Sequence, residues 1–170
     1  VGDTSVGGNI LAALVDNKLK SLDYKVINPH NVRFIDYGHP DGRRTYIRSI
    51  CFVLQKVVHE MFPDKVLAID YALPSGLYCE IREKEGQSDG RPCIYPVSDD
   101  EIEKILVRMR EVVAADLSFK KVKMTPDEAV ALFEANGQQE KVNLLRSTGR
   151  LLCSVYFLDG QADTFYGPLV

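Results

Sequence analysis

Between Thr45 and Phe62 the apolar residues Ile47, Ile50, Cys51, Leu54, Val57, Val58 and Met61 recur three and four positions apart, and Pro63 follows at once. That period puts them on one face of a helix of about five turns, and proline, which has no amide hydrogen to donate, ends it. A helix this long with one apolar face needs a layer to pack on, so the remaining residues must supply a sheet or further helices. The opposite side carries Arg48, Phe52, Gln55 and His59 at spacings of four, three and four. Such side chains line up along a helix. A phenylalanine in that polar line implies that it faces other protein or a cleft, not open water.

Short β-type runs surround the helix. Ile10 to Val15, a polar Asp16-Asn17 turn, Lys18 to Leu22 and Asn31 to Asp36 precede it, punctuated by Pro29 and Gly38. Val66 to Asp70 and Gly76 to Ile81 follow, joined by Tyr71 to Ser75. The stretch from Arg82 to Arg91 is too polar to offset its ordering entropy and reads as a disordered loop. Ser98-Asp-Asp-Glu101 is a capping box opening a helix that turns Ile102, Ile105, Leu106, Met109, Val112 and Val113 inward and ends near Asp116. Thr125-Pro-Asp-Glu128 repeats the device, with Gly137 as terminator. Phe119 to Lys123 reads as a strand between these helices, and Glu140 to Arg146 as a further short helix. Leu151 to Leu158 and Gln161 to Tyr166 flank Asp159-Gly160, a two-residue hairpin turn, so the second strand brings Asp163, Phe165 and Tyr166 to one end of a sheet. The order predicts an α+β fold, a mainly antiparallel sheet packed against a long core helix plus the capped helices.

At 170 residues the length favours one or two units. No apolar run approaches the roughly 20 residues that span a bilayer, and Val1 to Asn9 lacks the basic start and apolar middle of a signal peptide, so a cytoplasmic protein without membrane contact is expected. The net charge of −3 argues against non-specific binding of nucleic acid while leaving room for a local strip of Arg43, Arg44, Arg48 and Lys56. Cys51, Cys79, Cys93 and Cys153 form no Cys-x-x-Cys pair; most of them read as small core residues, and no metal site is signalled. Gly2 to Asn9 echoes a phosphate loop but lacks its lysine, its hydroxyl and a preceding strand.

Two segments carry a family resemblance: Thr45-Tyr-Ile-Arg-Ser-Ile-Cys-Phe-Val-Leu-Gln-Lys-Val-Val-His-Glu-Met-Phe62 and Ala162-Asp-Thr-Phe-Tyr-Gly-Pro-Leu169. With Gly76-Leu-Tyr-Cys-Glu80 on a central strand and the two capped helices, they resemble the editing (SAD-like) domain of threonyl-tRNA synthetases, over residues 43–170. Residues 1–40 are similar to the second half of a TGS module, a small β-grasp, whose opening strand and helix are not evident. The family's helix carries His-x-x-x-His and its tail Cys-x-x-x-His; here those positions read Arg48, Phe52, Phe165 and Leu169. Hydrocarbon neither binds Zn²⁺ nor activates water, and a guanidinium stays protonated. The resemblance therefore implies a vacated active site with no catalytic residue.

What remains is a candidate ligand pocket of Arg48, Phe52, His59, Tyr78, Asp163, Phe165 and Tyr166. Asp163 either pairs there with Arg48 or a ligand amine or hydroxyl, or is a structural ion-pair partner or a solvated turn residue. The run Arg44 to Leu54, with Arg-Ser-x-Cys-Phe in place of His-Ser-x-x-His, further resembles the front of bacterial uridine kinase-like nucleoside kinases. That resemblance implies an N-terminal, non-catalytic, ligand-sensing accessory module. Its partners would be a small-molecule ligand and a downstream P-loop kinase domain, which would use ATP and Mg²⁺ to phosphorylate a pyrimidine nucleoside. The alternatives are a diverged aminoacyl-tRNA editing hydrolase using Asp163 and His59, and a tRNA-binding module.

Overall fold

The computed structural model describes residues 9–74, 76–84, 93–149 and 151–170. The Gly2–Gly8 part of the loop-like start, and most of the polar stretch expected to be disordered, lie outside them. The chain divides into two compact units, 1–50 with 118–170, and 51–117. The fold is α+β, as the order of elements predicts, with three small antiparallel sheets and four helices among the described residues.

In the first unit β1 (Ala12–Val15) is central, flanked by β2 (Lys18–Lys20) and β3 (Val32–Ile35). The β1–β2 turn is Asp16-Asn17, both at positive φ, 48° and 62°. These residue types tolerate that left-handed geometry. Asp16 accepts the Asn31 amide at 2.9 Å and lies 2.5 Å from His30 Nδ1, tying the loop before β3 to the hairpin. Ala12, Leu14 and Ile35 are buried together with Leu19 against them.

The second sheet of this unit has the order β6 (Lys120–Met124), β7 (Cys153–Leu158), β8 (Gln161–Thr164). Asp159 and Gly160, at φ 47° and 86°, make the expected two-residue turn. Helices α3 (Pro126–Ala135) and α4 (Gln139–Ser147) contribute Ala129, Phe133, Val142 and Leu145 to a core completed by Cys153, Val155 and Ala162 of the sheet. Truncating the fully buried Phe133 to alanine costs about 3–5 kcal/mol in such a core. The α3 capping box is complete: Glu128 N–H donates to Thr125 Oγ1, while Glu128 Oε2 accepts the Thr125 amide.

Helix α1 (Pro40–Met61) is 22 residues long and crosses the unit boundary, starting five residues before the periodic run. Its most buried line differs from the predicted apolar face. Thr45, Ser49, Phe52, Val53, Lys56, Val57 and Val58 are buried, Ile47 is exposed, and Ile50, Cys51, Leu54 and Met61 are half-buried. Polar side chains whose hydrogen bonds are satisfied locally displaced the hydrocarbon. Thr45 donates to the Asp41 carbonyl, Ser49 to the Thr45 carbonyl, and Lys56 to Glu60 at 2.6 Å.

The second unit pairs β4 (Lys65–Leu73) with β5 (Gly76–Glu83), both longer than predicted, and adds α2 (Asp99–Ala114). Val58, Phe62 and Ile81 form its core, with Leu54, Met61, Leu67, Tyr95, Val97 and Ile105 packed on them. Of the α2 residues expected inward, Val112 is buried and Ile105 joins the core, whereas Ile102, Leu106 and Val113 are exposed. The helical period identifies an apolar stripe, but which of its members are covered is decided by packing, and Ile105 is the α2 residue set against the Val58, Phe62 and Ile81 core. The cysteine expectation also needs correcting, since only Cys153 is buried; Cys51 and Cys93 are half-buried and Cys79 is exposed. Among the described residues no helix is long and apolar enough to cross a membrane.

Candidate functional site

Arg48, the first of the candidate residues, lies on the first-unit part of α1. Its Nη2 donates to Thr45 Oγ1 at 3.0 Å and to the Pro168 carbonyl at 3.2 Å, and its Nε donates to the same carbonyl at 3.4 Å. Helix and tail are stitched together at this point. Val170 N–H donates to Ser49 Oγ at 2.8 Å, and Tyr156 Oη donates to the Gly167 carbonyl at 2.7 Å. Gly167 sits at φ 122°, a conformation that L side chains rarely adopt and glycine takes freely, and its Cα faces the Arg48 guanidinium so closely that a Cβ would lie 2.8 Å from Nη2. Pro168 and Leu169 are buried, Phe165 packs edge-on to Tyr156 with ring centroids 6.1 Å apart, and Tyr166 is exposed.

Burial draws the Arg48 guanidinium below its ordinary value, a pull opposed by the nearby Tyr156, yet a guanidinium remains charged throughout the range in which proteins are folded. Burial likewise pushes the Tyr156 phenol up, and Arg48 partly offsets it. Neither group is a base near neutral pH. The arrangement can hold a carbonyl and fasten residues 165–170 to α1.

For Asp163 the sequence leaves open a pairing with Arg48 or a ligand, a structural ion pair, or a solvated turn residue; at 3% exposure it is not solvated. The structure gives it a different cation: Lys141 Nζ lies 2.5 Å from Asp163 Oδ1, with only 4% of the Asp163 side chain exposed and 21% of the Lys141 side chain. Thr164 N–H donates to the same Oδ1 at 2.6 Å. The pair forms because β8 places Asp163 opposite Tyr156 on β7, while α4 brings Lys141 over from the same side as Val142 and Leu145. Lys141 Nζ also stands 5.6 Å from the Phe133 ring centroid. Sequence reasoning missed Lys141. The available signal was a lysine within the line Gln138, Lys141, Val142, Leu145, the side that α4 turns to the core.

Strand β8 ends at Thr164, so Phe165 and Tyr166 lie in the tail and not on the strand predicted to carry them. Three other candidates belong to the second unit. Phe52 is fully buried, His59 is exposed at the last turn of α1, and Tyr78 stacks on Tyr71 with centroids 4.9 Å apart while donating to Glu80 Oε1 at 2.9 Å. The proposed basic strip does not persist as read. Arg43 and Arg44 are exposed, whereas Arg48 is bonded to the tail and Lys56 is buried beside Glu60. Among the described residues no group of three or more His, Cys, Asp or Glu side chains is placed to hold a metal ion.

No family model matches the chain. Among known proteins it is similar to the threonine–tRNA ligase of Nitratidesulfovibrio vulgaris, with 32% identity over 129 residues, 76% of this chain and 18% of that protein. The threonine–tRNA ligase of Hyphomonas neptunium is 29% identical over 83% of the chain and 20% of its own length, and that of Carboxydothermus hydrogenoformans 26% identical over 94% and 24%. The chain thus spans about a fifth of the length of the curated relatives it matches. Over most of its own length it is similar to one segment of threonine–tRNA ligases, and that segment supplies its likeness to a synthetase module.

Proposed function

We propose that the chain is a threonyl-tRNA-synthetase-related recognition module that binds without hydrolysing. The observation that carries this reading is Arg48. At the position where the editing family has its first helical histidine stands a permanent cation, engaged with Thr45 and with the carbonyl of the chain's own Pro168. Phe52 and Leu169 are buried hydrocarbon at two of the other three positions, and Phe165 stands at the last. A proton-accepting group is therefore absent from all four aligned positions. The ligand class in this reading is the aminoacylated end of a tRNA, or the free amino acid or nucleoside it comprises. Incubation with serine-mischarged threonine tRNA tests it, alongside isothermal titration with threonine, serine, nucleosides and tRNA. Binding with deacylation no faster than the uncatalysed rate is the expected result. Robust deacylation overturns the reading, and loss of that turnover in His59→Ala would assign it to the diverged hydrolase instead.

A finer reading rests on the run Arg44 to Leu54, whose Arg-Ser-x-Cys-Phe resembles the front of uridine kinase-like nucleoside kinases. In it the residues 1–40 act as a partial TGS module, and the whole serves as an accessory to a P-loop domain of the same polypeptide that uses ATP and Mg²⁺. Assay of the intact gene product for nucleoside phosphorylation tests this. A Gly-x-x-x-x-Gly-Lys-Ser/Thr run beyond Val170 with uridine-dependent ATP turnover is expected; an intact product without either refutes it.

A further inference from the structure

A second surface of the first unit carries a feature that the stitched tail does not use. Tyr37 and Tyr46 meet edge to face, with ring centroids 5.3 Å apart and planes at 90°. Both stay largely in water, at 49% and 43% exposure. The Arg43 guanidinium stands over the Tyr37 ring, 5.4 Å from its centroid, within the range of a cation–π contact. Arg33 Nη2 lies 3.5 Å from His39 Nε2, which brings a second arginine to the same turn, and Arg44 projects from α1 next to Arg43.

Hydrogen bonds hold the backbone turn that carries this display. Gly38 N–H donates to Asp36 Oδ1 at 2.9 Å, His39 N–H to the Asp36 carbonyl at 3.2 Å, and Arg43 N–H to the His39 carbonyl at 2.9 Å. Asp41 N–H donates to His39 Nδ1 at 3.1 Å. Gly42 approaches the Asp36 carbonyl so closely that any Cβ would overlap the oxygen. Two exposed aromatic rings with arginines around them, fixed by backbone hydrogen bonds, form a surface on which planar groups stack while phosphates meet guanidinium. Asp36 and Asp41 only partly offset it. Asp41 lies 2.5 Å from Arg44 and 3.8 Å from His39, and Asp36, one oxygen of which accepts the Gly38 amide, keeps its charge, so Arg33 and Arg43 together exceed the remaining carboxylate by one positive charge.

We infer that the Tyr37–Tyr46–Arg43 surface binds single-stranded nucleic acid, its bases stacking on the tyrosines and its phosphates pairing with Arg43 and Arg33. The surface differs from the strip anticipated in the sequence, because Arg48 and Lys56 drop out and two tyrosines and Arg33 enter. The inference is independent of whether the tail region hydrolyses anything, so its failure leaves the proposed function untouched. With only about two phosphate contacts, stacking supplies most of the affinity and the logarithmic salt slope is shallow, about −1.4.

The test is fluorescence anisotropy with labelled oligo-U and oligo-dT of about 12 nucleotides and a duplex RNA of equal length, long enough to cover one such platform. Single strands bind and the duplex binds more weakly; preference between oligo-U and oligo-dT tells which sugar the surface accepts. Tyr37→Leu and Tyr46→Leu each weaken binding roughly 5- to 150-fold, while Tyr37→Phe and Tyr46→Phe, which keep the ring face, retain it. Arg43→Gln lowers the salt slope by about 0.7. Absence of single-strand binding, equal binding of the duplex, loss of binding in the Phe variants, or full binding by folded Leu variants overturns the inference.

Discussion

Replacing Arg48 by methionine removes every donor that α1 directs from this side chain at the tail while keeping most of its aliphatic length. Two acceptors lose partners: Thr45 Oγ1, which keeps its own donation to the Asp41 carbonyl, and the carbonyl of the buried Pro168. A buried carbonyl stranded in this way costs about 1–3 kcal/mol, and the bond it loses is a charged one at the upper end of hydrogen-bond strengths. The two donations to Pro168 share one acceptor and count once, so we expect a loss of about 2–3 kcal/mol. For a chain of this size that corresponds to a fall in Tm of roughly 4–12 °C. The effect is concentrated in residues 165–170, where Val170 N–H and Tyr156 Oη provide the other fastenings. Differential scanning calorimetry gives the first number, and hydrogen exchange of the C-terminal peptide gives the location. A Tm within about 1 °C of the parent, with unchanged exchange at the tail, would refute the argument that the guanidinium anchors it.

Three further outcomes follow from the same geometry. Lys141→Met leaves the nearly buried Asp163 without its cation and costs about 3 kcal/mol in urea unfolding, and Lys141→Met with Asp163→Asn loses less than the summed single variants by at least about 1 kcal/mol; strict additivity would show that the two residues do not act as a pair. The carboxylates of Glu101 and Glu128 are held below their ordinary range, first by the backbone amides of Ser98 and Thr125. Both capping boxes therefore contribute stability that is complete above the ordinary carboxylate range and is lost as the pH falls through the lowered folded values; circular dichroism of Glu101→Gln and Glu128→Gln variants should show a flatter acid limb. Gly42→Ala forces the start of α1 away from the Asp36 carbonyl and lowers Tm while abolishing the Tyr37–Tyr46 arrangement, visible in near-ultraviolet circular dichroism; an unaltered spectrum would disprove the steric reasoning.

The elements whose signals lie within a few residues were legible from the chain alone. Ser98-Asp-Asp-Glu101 and Thr125-Pro-Asp-Glu128 opened helices because both halves of each capping box lie within one turn, and Asp16-Asn17 and Asp159-Gly160 became hairpin turns because those residues accept positive φ. The faces of the helices were harder. The period of α2 identifies its apolar stripe, but only packing determines that Val112 is covered and Leu106 is not. On α1 the buried line runs through Thr45, Ser49 and Lys56, since hydrogen bonds within the helix and to Glu60 satisfy polar groups that periodicity assigns to water.

By itself the sequence determined the α+β order of elements and that Arg48, Phe52, Phe165 and Leu169 carry neither imidazole nor thiol, because residue identity fixes what chemistry a side chain can perform. Tertiary structure alone decided that Arg48 holds the Pro168 carbonyl, 120 residues away, and that Asp163 takes Lys141 as its cation. Charge partners are chosen by distance and burial after the chain has folded. Neither quantity is written in sequence spacing.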